Sequence, residues 1–278
     1  MLHQNFDISP YLSGKILVGF LFLAALDWLW RKKKKLKTSG QEARTTLLLM
    51  LGQRAFNAAT ALLLVHVFMF VYDHRMFDIN LKDPFMILVL FLGEEFTYYW
   101  FHRSSHERRW LWATHSVHHS PTVMTMLSAL RLGLTGAISG VWLFFLPMIW
   151  IGFPPYAVFG MVGLNLLYQF WLHTDNVGKL GWLEYVFNTP SHHRVHHSKL
   201  PEYINKNFGG VVIFYDRMFG SLAVERAGVI HSYGLSGEAG ARTGAVSIAF
   251  GEWGSMFRAM GKARGPGSKL KVAFGKWE

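Results

Sequence analysis

Three histidine groups carry the chemistry this sequence can do: His102-Arg-Ser-Ser-His106, His115-Ser-Val-His118-His119 and His193-Arg-Val-His196-His197, the last preceded by His192. Residues i, i+3 and i+4 share one side of a helix, so each group can aim two or three imidazoles at a common point. Neutral imidazole is the commonest metal ligand among side chains. The second and third groups echo each other, HSVHHS at 115–120 and HRVHHS at 193–198, with no longer repeat around them. This reads as one ligand arrangement used twice. Ten of the 14 histidines fall between residues 102 and 197. Without a cation, so many rings at one site would be costly to bury and would repel one another once protonated.

Eight or nine imidazoles exceed what one ion accepts, about four to six donors, so two ions fit the count better. The chain has no cysteine, which excludes disulfides and thiolate sites, and it lacks HExxH, which removes the single-zinc protease reading. Affinity order alone would favour zinc over iron at nitrogen donors, so ligand count does not choose the element. The chemistry points to iron: an all-imidazole site with open positions, at the edge of a lipid-facing cavity, suits activation of dioxygen. Zinc can replace iron in a purified sample.

The elements that must position these rings are apolar. The 278 residues are 51% hydrophobic and 16% charged, with mean hydropathy +0.20, and the apolar residues cluster in long runs. Segments 14–30, 45–72, 84–101, 127–151 and 155–173 are the candidate spans, the last two divided by Gly152-Phe153-Pro154-Pro155. The first is too basic at its end to be a removed signal peptide. Its Asp27 is unusual for lipid and is expected at the cytoplasmic end or facing other helices. The net charge of +11 is concentrated in Arg31, Lys32, Lys33, Lys34, Lys35 and Lys37 beside the first span. That position fits the positive-inside rule and anionic lipid heads, and no nucleic-acid-binding motif accompanies it. With the lysines cytoplasmic, the segments alternate so that every histidine group returns to the lysine side. The fold class expected is therefore an all-α integral membrane bundle of about four to five spans with a cytoplasmic, histidine-rich helical cap.

Residues 1–222 are expected to form the embedded oxidase domain and 223–278 a polar, amphipathic tail. In the tail Val246, Ala249, Phe250, Trp253, Met256, Phe257 and Met260 recur at helical spacing, as on a helix against the enzyme or the bilayer surface.

From EEFTYYWFHRSSHE through HSVHHS to NTPSHHRVHH and NKNFGGVVIFYDRMFG, over roughly 90–222, the sequence resembles the fatty acid hydroxylase and sterol desaturase superfamily. The Asn-Thr-Pro lead-in and the Asp216-Arg217-Met-Phe-Gly220 close look most like the alkylglycerol monooxygenase branch and its bacterial relatives. The resemblance implies that His102, His106, His115, His118, His119, His193, His196 and His197 hold a non-haem di-iron centre. It adds His173 as a ninth ligand and leaves His192 either ligating or supporting. Glu107 matches an acidic residue of that branch and could tune a ligand or handle protons. Glu95 stands where relatives often carry Asp and is expected to bond a ligand imidazole.

The implied function is oxidation of a lipid alkyl, sterol or ether-lipid chain with dioxygen. Hydroxylation and desaturation share the first hydrogen removal and stay open. Tyr98, Tyr99, Trp100, Trp110, Trp112 and Phe170 are candidate walls of the substrate groove. No dinucleotide fingerprint is present, so electrons come from a separate protein or a small reductant, a tetrahydropterin being one option the branch resemblance raises. Arg108, Arg109 and the lysine run could dock an acidic donor. The expected setting is a bacterial inner membrane rather than the endoplasmic reticulum. Two other classes stand beside this reading: a histidine-rich membrane metal transporter and a zinc-dependent lipid hydrolase.

Overall fold

A computed structural model describes residues 10–276, and among them the regular elements are all helical, with isolated β-bridges at Arg108–Lys276 and Phe187–Val212. Eight helices matter for the site: α1 (Pro10–Lys33), α2 (Gly40–Asp73), α3 (Pro84–Glu107), α4 (Arg109–His119), α5 (Pro155–Phe170), α6 (Pro190–His197), α7 (Ala245–Lys262) and α8 (Pro266–Phe274). Their starts are written locally. Ser39 caps α2 by accepting from the Glu42 N–H (3.2 Å), and Asp83 caps α3 by accepting from Phe85 N–H (2.9 Å) with Pro84 following it. The Asn-Thr-Pro lead-in to the last box is the same device, Thr189 as cap and Pro190 as first helical residue.

Among the described residues α2 is the helix long and apolar enough to cross a membrane. Its 34 residues extend about 50 Å at 1.5 Å each. The hydrocarbon core is about 30 Å thick. A buried core helix of a soluble protein would hide its leucines, whereas Leu62, Leu63 and Phe70 are 72%, 69% and 65% exposed. Exposed apolar side chains continue on α1 (Val18, Phe22, Leu29) and α3 (Phe85, Leu88, Leu92). Apolar surface of that extent asks for lipid rather than water. Between the helices Phe68, Leu90, Phe145, Met148, Ile149, Phe153 and Val158 form a core.

The fourth apolar segment departs from the sequence reading. Instead of one helix over 127–151 the chain forms Met126–Leu130, Gly136–Ser139, Val141–Phe145 and Leu146–Ile151 in succession. Gly133, Gly136 and Gly140 lie in this stretch, and Gly140 takes φ 77°, a conformation a helix does not continue through. At its far end Met76 and Phe77 N–H groups donate to the Trp150 and Ile151 carbonyls (2.8 and 3.1 Å). Gly152 permits that approach, because a Cβ there would lie 2.1 Å from the Phe77 carbonyl oxygen.

Of two charged residues of α1, Asp27 faces other elements as expected, and Arg31 takes an unexpected place. Arg31 is buried, not part of an exposed basic cluster. It donates to the Met124 carbonyl (2.7 Å) and pairs with Asp27 (3.5 Å) and Asp175. Asp27 in turn accepts from the Met126 N–H (3.3 Å). Both charges are therefore satisfied within the protein, which is how ionisable groups in an apolar helix persist.

Candidate metal centre

One extended residue, Arg108, separates α3 from α4, so α4 folds back beside the end of α3 and brings the first two boxes together. The last box is α6, whose eight residues are all buried. Across these helices nine rings form two groups. His102, His106, His115, His119 and His196 make one, and His118, His173, His193 and His197 the other; within each, one donor atom per residue lies within 4.8 Å of the rest.

The tautomers follow from the partners. His102 and His196 donate from Nδ1 to the Phe208 and Lys206 carbonyls (both 2.9 Å), His118 to the Arg131 carbonyl (3.2 Å) and His173 to the Gln169 carbonyl (2.9 Å). A carbonyl accepts only, so each ring carries its proton on Nδ1 and turns an Nε2 lone pair inward. His118 and His173 thus oppose Nε2 lone pairs 3.3 Å apart. The Nε2 atoms of His106, His119, His196 and His197 are buried with no hydrogen-bond partner. Burial holds the His118 and His196 rings neutral, pushing them down to about 4 and about 3. Lone pairs that converge, stay unprotonated and lack donors are what a bound cation would satisfy. The donor set fits a metal ion in each group.

The remaining candidates fall elsewhere. His192 belongs to neither group. Its buried Nδ1 has no hydrogen-bond partner. Glu95 does not bond an imidazole. Its buried carboxylate accepts from the Val211 and Val212 N–H groups (3.0 and 2.9 Å) and from Asn165 (2.8 Å), the same amide that meets Glu94 at 3.3 Å. Glu95 thereby fastens the 207–213 loop, whose Phe208 carbonyl orients His102. Gly210 lets that loop reach α5, since a Cβ would meet Asn165 Nδ2 at 2.1 Å. Glu107 pairs with Arg103 (2.9 Å), which also donates to Tyr99 (3.0 Å).

Of the aromatic candidates, Tyr98 reaches His102 (5.4 Å between centroids) and Trp112 reaches His106 (5.3 Å). The others pack away from the rings: Tyr99 and Trp100 on Phe219, Trp110 on Trp253, and Phe170 on Phe20.

Several supporting residues escaped the sequence reading. Asp216 accepts from the Phe208 and Gly209 N–H groups (2.7 and 2.6 Å) and from Ser221 (2.7 Å). It opens the Asp216-Arg217-Met-Phe-Gly220 stretch, and only the fold shows what it holds. Arg131, buried, binds Glu42 (2.7 Å) and Thr46 (3.0 Å) and so fixes the carbonyl that orients His118. Arg194, within the last box, makes two 2.7 Å bonds to Glu225 and reaches the Thr174 and Val177 carbonyls (3.1 and 2.7 Å) just after His173. Burial alone would raise the Glu225 carboxyl, but hydrogen bonds and charge from Arg194 prevail and hold it at about 2.

A helical protein with lipid-type surface and two all-imidazole groups at the ends of its helices is the class these features define. Residues 87–221 match the fatty acid hydroxylase family model, and the chain belongs to that superfamily. Its similarity runs to the alkylglycerol monooxygenases. That of Danio rerio is 37% identical over 234 residues, 82% of this chain and 49% of the relative. That of Homo sapiens is 40% identical over 164 residues, 59% and 36% of the two chains. An ornithine lipid hydroxylase of Rhizobium tropici is 30% identical over 138 residues, 49% and 41%. The chain thus spans about half or less of the length of these curated relatives. Animal and bacterial proteins stand together among them, so they lend no preference to a bacterial inner membrane. No solved structure is a significant match to the chain.

Proposed function

We propose that this protein is a membrane-bound di-iron oxygenase that hydroxylates a lipid alkyl chain. The observation that carries the proposal is the convergence of nine rings into two groups, with carbonyls holding the Nδ1 protons of His102, His118, His173 and His196, at the lysine-side ends of lipid-exposed helices. Bound there, a pair of iron ions would supply dioxygen activation. The family relationship supports iron, and zinc is the expected contaminant of a purified sample. Insertion of one oxygen atom into a C–H bond releases water from the other and consumes two electrons and two protons. Those electrons come from outside the described residues, from a donor protein or a small reductant.

The chain's own part is positioning. The carbonyls of Arg131, Gln169, Lys206 and Phe208 fix ring orientation, and Glu95, Asp216 and Arg194 fix the segments that carry the rings. Tyr98 and Trp112 border the rings and are the proposed walls against which a chain carbon is placed. Glu107, next to His106, is assigned the handling of protons or the tuning of that ligand. We read α1, α2, α3, the broken 126–151 segment and α5 as the membrane-embedded body, with the histidines at the cytoplasmic face. Residues up to 222 form the oxidase domain, and 223–278 an amphipathic surface region.

An alkylglycerol is the first substrate class to test and an ornithine-type lipid the second, from what the relatives are named for. Lipid mass spectrometry of cells with and without the gene tests the reading. Hydroxylated, unsaturated or cleaved ether lipid supports oxidation and names the outcome. Unchanged lipids with altered cell metal would favour transport, although a transporter would distribute histidines through its spans rather than gather nine at one end. Released fatty acid with zinc in the protein would favour hydrolysis.

A further inference from the structure

Helices α7 and α8 have two faces, and the described protein covers only one. On α7 the side chains of Ile248, Ala249, Trp253 and Met256 are buried against Val117 and Ala113 of α4 and Leu49 of α2. Val246, Phe250 and Phe257 fall within about 40° of one another at 100° per residue. They form a stripe, 74%, 48% and 50% exposed, that borders the buried face, where Phe257 stacks on Trp253 (5.9 Å between centroids). Leu270 and Phe274 of α8 are likewise exposed. Over 245–276 the basic residues Arg258, Lys262, Arg264, Lys269, Lys271 and Lys276 all face solvent. The acidic residue of that stretch, Glu252, is buried and bound to Arg242 (2.7 Å). Among the described residues of 245–276 the surface is therefore apolar and cationic, with no exposed carboxylate.

Its place is equally defined. Leu49, the α2 contact of α7, is roughly 14 Å from the start of that helix. That start follows directly on the Lys32–Lys37 run. The helix pair thus lies at the lysine end of α2, the end at which reading α2 as a span puts a membrane boundary. Apolar side chains beside clustered bases at that level complement anionic headgroups over acyl chains.

We propose that the outer face of α7 and α8 rests on an anionic bilayer surface, with Val246, Phe250, Phe257, Leu270 and Phe274 among the acyl chains and the bases at the phosphates. This rests on reading α2 as a membrane span. Because α7 packs directly on α4, the contact sets the height of the second histidine box relative to the lipid.

The absence of cysteine allows single labels. Phe250→Cys, Phe257→Cys, Arg258→Cys and, as a control, Leu62→Cys are labelled with a nitroxide in the full protein. Each is reconstituted into phosphatidylcholine bilayers with or without phosphatidylglycerol, and its accessibility to oxygen and to a water-soluble nickel complex is measured. The expected result in anionic bilayers is an oxygen-to-nickel ratio severalfold higher at Phe250→Cys and Phe257→Cys than at Arg258→Cys, falling when phosphatidylglycerol is omitted. A variant with Arg258, Lys262, Lys269 and Lys271 changed to Gln is expected to lose that lipid dependence. Nickel access at residues 250 and 257 equal to that at 258, with Leu62→Cys in lipid, overturns this inference alone and points to a soluble partner or open water. Short label-to-label distances between protomers overturn it in favour of a second copy of the chain, and immersion indifferent to lipid charge overturns it as well. Leu62→Cys open to nickel overturns the span reading and this inference together.

Discussion

In α4 the rings at i and i+4, His115 and His119, enter the group of five, while His118 at i+3 enters the group of four. In α6 the allocation is reversed: His193 and His197 join the four and His196 the five. The echo between HSVHHS and HRVHHS thus has a geometric meaning, since each short helix spans both groups and the two do so in opposite senses. The groups become unequal through what is added to these three-plus-three rings. The larger receives the pair His102 and His106 from α3, and the smaller receives His173 alone. Their supports differ too. The larger leans on the 206–208 segment, which Asp216 and Glu95 hold, and the smaller on the Arg131 carbonyl and the last turn of α5.

The largest effect expected from this inequality is on metal content. His173→Ala leaves the smaller group three rings and is expected to lose about half of the bound metal with turnover at background. His102→Ala leaves the larger group four rings and is expected to retain both ions more weakly. Elemental analysis of the two purified variants checks this. Equal losses in both would show that the rings are shared rather than divided as the geometry has them.

Removing a support rather than a ring is expected to cost less, about 10- to 100-fold in metal affinity or activity. Asp216→Asn removes acceptor charge from the Phe208 and Gly209 amides and is expected to weaken the five-ring group. Glu42→Gln loosens Arg131 and is expected to weaken the four-ring group. Competitive chelation, titrated separately for each variant, reads which ion leaves first. The comparison fails if both variants release the same ion.

Much of the centre was legible because box spacing is a local property: i, i+3 and i+4 share a helix side wherever the helix lies. Allocation of rings to the two groups was not, because it depends on the rotation of α4 against α6. His173 came from family resemblance, since no periodicity marks a single histidine after an apolar helix. Glu95, expected at an imidazole, instead binds loop amides more than a hundred positions away in sequence, a contact only the fold creates. Apolar runs located α2, α3 and α5 with ends off by up to six residues, whereas the glycines of 133–140 broke the fourth segment that hydropathy read as continuous. Arg31 looked like one more cytoplasmic base because its partner Asp175 is remote in sequence.

A smaller effect is expected from acid on the metal-free protein. The folded His118 and His196 rings are held by burial at about 4 and about 3, against 6.5 for a free ring. Between those values the unfolded chain binds protons that the folded chain does not, so stability is present above 6.5 and declines as pH falls through that window. The melting temperature of chelator-treated protein is expected to be lower at pH 5 than at pH 7.5. A flat profile would mean that these rings open to water before the protein unfolds.

The smallest effect on the two groups is expected at Glu107. It follows His106 of the larger group, yet its carboxylate is turned to Arg103 across one helical turn, on a partly exposed face. Such a pair contributes about 0.3–0.5 kcal/mol. Glu107→Gln is therefore expected to leave melting temperature and metal content nearly unchanged. If the carboxylate handles protons, turnover falls by about 10²-fold or more with both ions in place. Arg103→Gln separates the two roles, because it removes the same ion pair while sparing the carboxylate. Loss of turnover in Glu107→Gln alone assigns the chemistry to Glu107, and equal loss in both assigns the effect to the pair and to the Tyr99 contact that Arg103 also makes.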